Sequence, residues 1–207
     1  RLAEMLRRLL TFWALWAVLA SQPASARSPL TGPQLGPVQH SLDAPQLDVL
    51  SEADFERAVA QFQQGDLHGA RRQLEALLQG ERVWGDSRAR VHFLLGWISA
   101  TLDNQQQASA NFYQVRKQEE HPLREPAAFF EARADLLRGH PRTAIAECGT
   151  YRETWPEGVW LDECLLVEAD AHVALGNHRS AGELFEEFVE KHPDDRRIET
   201  IHLRIAQ

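Results

Sequence analysis

The chain has 207 residues, a formal net charge of −8 and two cysteines. That length is enough to bury one substantial core. An acidic surface repels phosphate backbones and anionic lipid, so composition argues against a nucleic-acid partner.

Residues 1–26 read as a secretory signal whose start is Met5, the only methionine. Arg7 and Arg8 form a basic n-region, Leu9–Leu19 an apolar run, and Ala24-Ser25-Ala26 a small-residue cleavage site. The apolar run is well short of the roughly 20 residues that span a bilayer. Cleavage after Ala26 would release a soluble, exported protein with no membrane span, and no cysteine follows the run to carry a lipid. With the three Arg and one Glu of residues 1–26 removed, the remainder is more acidic still. Residues 27–50 begin "RSPLTGPQLGP", rich in Pro and Gly with no helical or alternating pattern, and read as an extended linker.

From Ser51 the composition shifts to Ala, Leu, Glu, Arg and Gln, with apolar residues at helical spacing and no strand signal. Residues 51–207 are therefore predicted as one all-α domain. Within it Gly65, Asp103, Gly139 and Gly176 recur at intervals of 38, 36 and 37. Ala70, Ala108, Ala144 and Ala181 follow five residues after each, while Ala58, Gly96, Ala132 and Ala169 stand seven residues before each. Pro156 and Pro193 lie seventeen residues after the last two anchors. Gly can take the left-handed conformation that ends a helix, and Asp103 must do so at some cost. Small residues on either side let two antiparallel helices approach closely, and Pro stops the second helix. Such a hairpin buries its apolar side only by stacking on neighbours.

This spacing resembles the tetratricopeptide repeat, whose usual unit is 34 residues. The extra residues here fall between units, as in "RKQEEHPLREP". The resemblance implies an antiparallel helix-pair solenoid of four repeats, with "WLDECLLVEADAHVALG" and "RSAGELFEEFVEKHP" fitting best. One further step predicts an anchor at 213 and a small residue at 206, where Ala206 stands. "RRIETIHLRIAQ" is thus expected to open a truncated fifth unit, with Ile198, Ile201, Leu203 and Ile205 awaiting a partner.

Motifs that carry chemistry are absent: no H-E-x-x-H, no C-x-x-C, no phosphate-binding Gly loop and no calcium loop. No metal, cofactor or catalytic residue is expected. His140 and His178 read as exposed turn residues and His172 as an interior one. Glu183, Glu186, Glu187 and Glu190, three and four apart, read as a solvated helix face. Cys148 and Cys164 are equidistant from Pro156, so in an antiparallel pair they would sit level. They are either a disulfide or two separately buried thiols, since spacing alone does not show whether they face each other.

In tetratricopeptide arrays the first helices line a concave groove that binds extended peptides. The positions ten and six before each anchor point that way in the family: Phe55 and Val59, Phe93 and Trp97, Phe129 and Arg133, Leu166 and Asp170. The resemblance implies an aromatic strip of Phe93, Trp97 and Phe129 beside Arg133 and Asp170. The alternative is that these side chains simply pack between helices.

Residues 121–195, beginning "HPLREPAAFFEARADLLRGHP", further resemble the N-terminal helical region of periplasmic soluble lytic transglycosylases. That resemblance implies an arm beside a C-terminal lysozyme-like domain that cleaves peptidoglycan with the Glu of a Glu-Ser dipeptide. The present chain has no Glu-Ser dipeptide. The rival expectation is a stand-alone periplasmic scaffold that binds protein partners of cell-envelope assembly.

Overall fold

A computed structural model describes residues 44–80, 83, 85–195 and 197–205. The signal at 1–26, most of the linker, and Ala206 lie outside the described residues. Every described element is helical: α1 (Ala44–Gln63), α2 (Leu67–Gln79), α3 (Gly85–Thr101), α4 (Gln105–Arg116), α5 (Arg124–Leu137), α6 (Pro141–Thr154), α7 (Leu161–Ala174), α8 (His178–Lys191) and α9 (Ile198–Ile205). Among them no helix is long and apolar enough to cross a membrane.

The anchors are the turns between paired helices. Gly65, Asp103, Gly139 and Gly176 have φ of 85°, 60°, 85° and 75°. Each turn makes the same two bonds. The anchor N–H donates to the carbonyl three residues back, as Gly65 does to Phe62 and Gly176 to Val173, both at 3.0 Å. The next N–H donates five residues back, Asp66 to Gln61 and Asn104 to Ser99, at 2.9 and 2.8 Å. This is a Schellman closure, which satisfies helix-end carbonyls that would otherwise be orphaned. The residue after the anchor starts the second helix. Asp66 accepts from Gly69 N–H at 2.8 Å and Asn104 from Gln107 N–H at 3.1 Å, capping α2 and α4.

The small residues do what their spacing implies. Ala58, Ala70, Ala108, Ala132, Ala144, Ala169 and Ala181 are all 2% exposed or less. A Cβ added at Gly96 would come within 2.8 Å of the Phe112 ring, so α3 and α4 touch there with no room for a side chain. Pro156 and Pro193 are exposed and stand two residues beyond the ends of α6 and α8. Each helix packs on the next in sequence, and α1 also meets α3 and α5 meets α7. The core runs along these seams: Phe55, Leu74, Leu77, Val91, Leu94 and Ile98 between α1, α2 and α3, and Leu165, Phe185, Phe188 and Ile201 between α7, α8 and α9.

Two expectations need correction. Residues 44–50, read as linker, are the first turns of α1. Pro45 stands in the first turn, where a missing N–H costs no hydrogen bond and the fixed φ suits a helix. In α9, Ile201 does not await a partner: it is 3% exposed against α7 and α8, with Ile205 packed beside it. Leu203 is the apolar side chain of α9 left outside, at 68% exposure.

Candidate functional site

The aromatic residues of the second and third pairs converge on one ring. Phe130 of α5 is 6% exposed. It meets Trp97 edge-on at 4.9 Å, Phe93 edge-on at 6.1 Å, and Phe112 in a stack at 5.5 Å. Phe129 lies 5.0 Å from it and Trp160 5.2 Å. Offset and edge-to-face pairs at these spacings add to the burial that brings them together. The ring thus ties α3, α4 and α5 to the residue that opens α7.

The expected strip divides in two. Phe129 is 4% exposed and stacks flat on Trp160 at 4.8 Å, so its ring is part of the packing and offers nothing to a groove. Phe93 and Trp97 keep part of their surface in solvent while Phe112 and Phe130 hold their orientation. Arg133 and Asp170 are also partly exposed. Burial disfavours the charged form of Arg133, and the Glu163 carboxylate offsets this in part. Sequence reasoning misses Phe130 because it falls one residue out of register with the repeat. The run "AAFFEA" marks an aromatic pair without showing which ring is the hub.

A polar cluster on the other faces of α5 and α6 escapes the sequence reading altogether. Glu131, Asp135 and Glu147 place carboxylate oxygens within 4.8 Å of one another. Arg116 donates to Glu131 at 2.5 and 3.2 Å, and Arg138 pairs with Asp135 at 3.0 Å. Ser109 also donates to Asp135, at 3.2 Å. Such oxygens could serve a hard cation, but two guanidinium groups already occupy that electrostatic role. Burial, then the charges of Glu131 and Asp135, push the Glu147 carboxyl up to about 9. Glu147 therefore keeps its proton at neutral pH beside the carboxyls of Glu131 and Asp135. Burial also raises Glu131, against the opposing effect of its bond from Arg116.

The junction between the third and fourth pairs has its own network. Glu125 accepts from the Tyr151 hydroxyl at 2.7 Å and from Val159 N–H at 2.9 Å, while Trp160 N–H donates to the same hydroxyl at 3.0 Å. A Cβ at Gly158 would meet that hydroxyl at 2.6 Å. This network fixes the "TWPEG" loop and with it Trp160. Two similar clasps join first-turn acids to histidines that follow the second helices: Asp86 to His121, in the loop after α4, at 2.8 Å and Asp162 to His192, at the end of α8, at 2.9 Å.

Cys148 and Cys164 are free thiols, each 0% exposed, close enough to interact across the packed α6 and α7. His140 and His178 are exposed at helix starts and His172 is half-buried. The Glu183, Glu186, Glu187 and Glu190 run is exposed, with Glu183 and Glu187 paired to Arg179 and Lys191 along the helix.

The tetratricopeptide repeat family model matches residues 163–195, the span of α7 and α8. The nearly identical TPR-like repeats assigned to a putative kinesin light chain of Podosopora anserina share the architecture. The chain is 20% identical to them, covering 75% of this chain and 83% of that one, with a TM-score of 0.58. A second crystal structure of those repeats gives 20% identity, coverage of 81% and 86%, and a TM-score of 0.60. No curated protein sequence matches the chain. Turn geometry, buried small residues and these likenesses converge on one description: residues 44–205 fold as an array of tetratricopeptide-like helix pairs.

Proposed function

We propose that the chain is a non-catalytic scaffold that binds an extended peptide segment of a protein partner. The observation that carries this reading is the platform of Phe93 and Trp97. Phe93 packs on Phe112 and Phe130, Trp97 packs on Phe130, and both rings remain partly open to solvent. Rigid, partly exposed aromatic rings add contact area at little entropic cost and are favoured anchors in interfaces. Arg133 and Asp170 stand beside them in the repeat register, where charges of opposite sign can engage a peptide's polar groups. The secretory pattern of residues 5–26 supports an exported, periplasmic setting.

The test is selection of a displayed peptide library on the chain, followed by titration of the best peptide using tryptophan emission. Trp97→Ala is expected to weaken binding at least tenfold, which is about 1.4 kcal/mol, while far-ultraviolet circular dichroism is unchanged. Selected peptides that bind the Trp97→Ala chain equally well would overturn the assignment of this face.

A second, finer reading is that the array is the helical arm of a peptidoglycan lytic transglycosylase. It is supported by the resemblance over residues 121–195 and makes peptidoglycan strands the partner of the larger protein. Sedimentation with purified sacculi tests it: retention on sacculi without release of muropeptides fits an arm, and no retention removes this reading.

A further inference from the structure

We propose that Cys148 and Cys164 close to a disulfide that locks the third helix pair to the fourth, and that the bond is made as the chain folds. Three observations carry this. The two are the only cysteines in the chain, so within one molecule each has a single possible partner. They are buried in the seam where α6 packs on α7, level with each other about Pro156, and close enough to interact directly. Both are 0% exposed, so neither thiol serves a surface or a ligand.

The chemistry sets the timing. The thiolate is the attacking species. In the folded protein the interaction of the Cys148 S–H with Cys164, then burial, hold the Cys148 thiol well above its ordinary range. Both thiols are closed to solvent, so no oxidant reaches the closed seam, and oxidation belongs to the open chain. One thiolate attacks the disulfide of an oxidant, either oxidised glutathione or a protein disulfide oxidoreductase, and expels one thiol. The second cysteine then attacks the mixed disulfide and expels the other. The pair loses two protons and two electrons; the oxidant's disulfide becomes two thiols. Once α6 and α7 close, the bond is shielded from reductant, making it a lock rather than a switch.

The lock sits where an array needs it. Tetratricopeptide-like pairs touch mainly their neighbours, so relative movement concentrates at the seams between pairs. Beside the cysteines this seam is held by Arg152 on Glu168 at 2.8 Å and by the Tyr151 hydroxyl on Trp160 N–H at 3.0 Å. A covalent tie there fixes Trp160, and through it the Phe129 and Phe130 rings.

The test is refolding of the full chain from denaturant in a mixture of reduced and oxidised glutathione, then maleimide labelling in denaturant and intact-mass measurement. The expected product is a monomer two hydrogens lighter than the reduced chain, taking up no maleimide. Its melting temperature should be about 5 °C or more above that of the reduced chain, and reductant should cleave the bond rapidly only when denaturant is present. Two maleimides, a glutathione adduct or a linked dimer as the main product would overturn the proposal, as would a cross-linked monomer that melts below the reduced form. Cys148→Ala should melt at the same temperature with and without oxidant; an oxidant-dependent rise in that variant would also overturn it.

Discussion

Replacing Glu147 with Gln isolates the excess carboxyl of the α5–α6 cluster. Arg116 pairs with Glu131 and Arg138 with Asp135, leaving Glu147 as a third carboxyl within 4.8 Å of both. Its carboxyl titrates at about 9 in the fold, against 4.5 as its ordinary value. Between those values the unfolded chain releases a proton that the folded chain keeps. The stability contribution is therefore complete below about 4.5 and declines as pH rises toward about 9. A fully buried group with such a shift would cost several kcal/mol. Glu147 retains contact with water, which screens the penalty, so the expected gain from Glu147→Gln at pH 8 is about 1–3 kcal/mol. The Gln amide is neutral and brings N–H donors next to Glu131 and Asp135, without an ionised form to suppress. Urea denaturation followed by circular dichroism at pH 5, 7 and 9 measures the difference between the two proteins. It should be near zero at pH 5 and grow with pH. A difference that is independent of pH, or a Gln variant that is weaker at pH 8, would refute the assignment of a retained proton to Glu147.

Two further predictions concern packing and turns. Phe130→Ala empties the hub of the aromatic seam and should cost about 3–5 kcal/mol in urea denaturation, whereas Tyr113→Ala, at a residue 41% exposed, should cost less than about 1 kcal/mol; equal losses would mean the seam is not a packing centre. Asp103→Gly relieves a left-handed residue at φ 60° and should stabilise the chain by about 1 kcal/mol. A loss instead would mean that the long contact from Gln105 to the Asp103 carboxylate, at 3.4 Å, matters more than the backbone.

Turn positions and buried small residues are legible because they answer local rules. A left-handed residue and a side chain small enough for two touching helices leave a fixed signature at each repeat. Asp103 is recognisable as an anchor by its place in the period even though it is not Gly. The start of α1 is not, because Pro45 and its neighbours look like linker until the helix is seen to begin just before them. Which aromatic ring forms the hub depends on how successive pairs rotate against one another, and a period of 36 to 38 residues does not specify that rotation. The repeat register therefore places Phe129 on an open face, when Trp160, from the following loop, covers it. The Glu131–Asp135–Glu147 cluster is invisible for a related reason: its members come from two helices, and none stands at a repeat position.

Because each helix meets mainly its neighbours in sequence, few contacts require distant parts of the chain to find each other. Loop-closure entropy is small at every step, which favours fast folding that can begin at any pair and spread outward. The aromatic ring around Phe130 links three helices and one loop within 93–160 and is the natural nucleus, with α9 joining last. Opening of the backbone amides would run in the reverse order. Such a chain can lose its ends and regain them while its centre stays folded, so a partner seated on the central pairs would be held through those fluctuations.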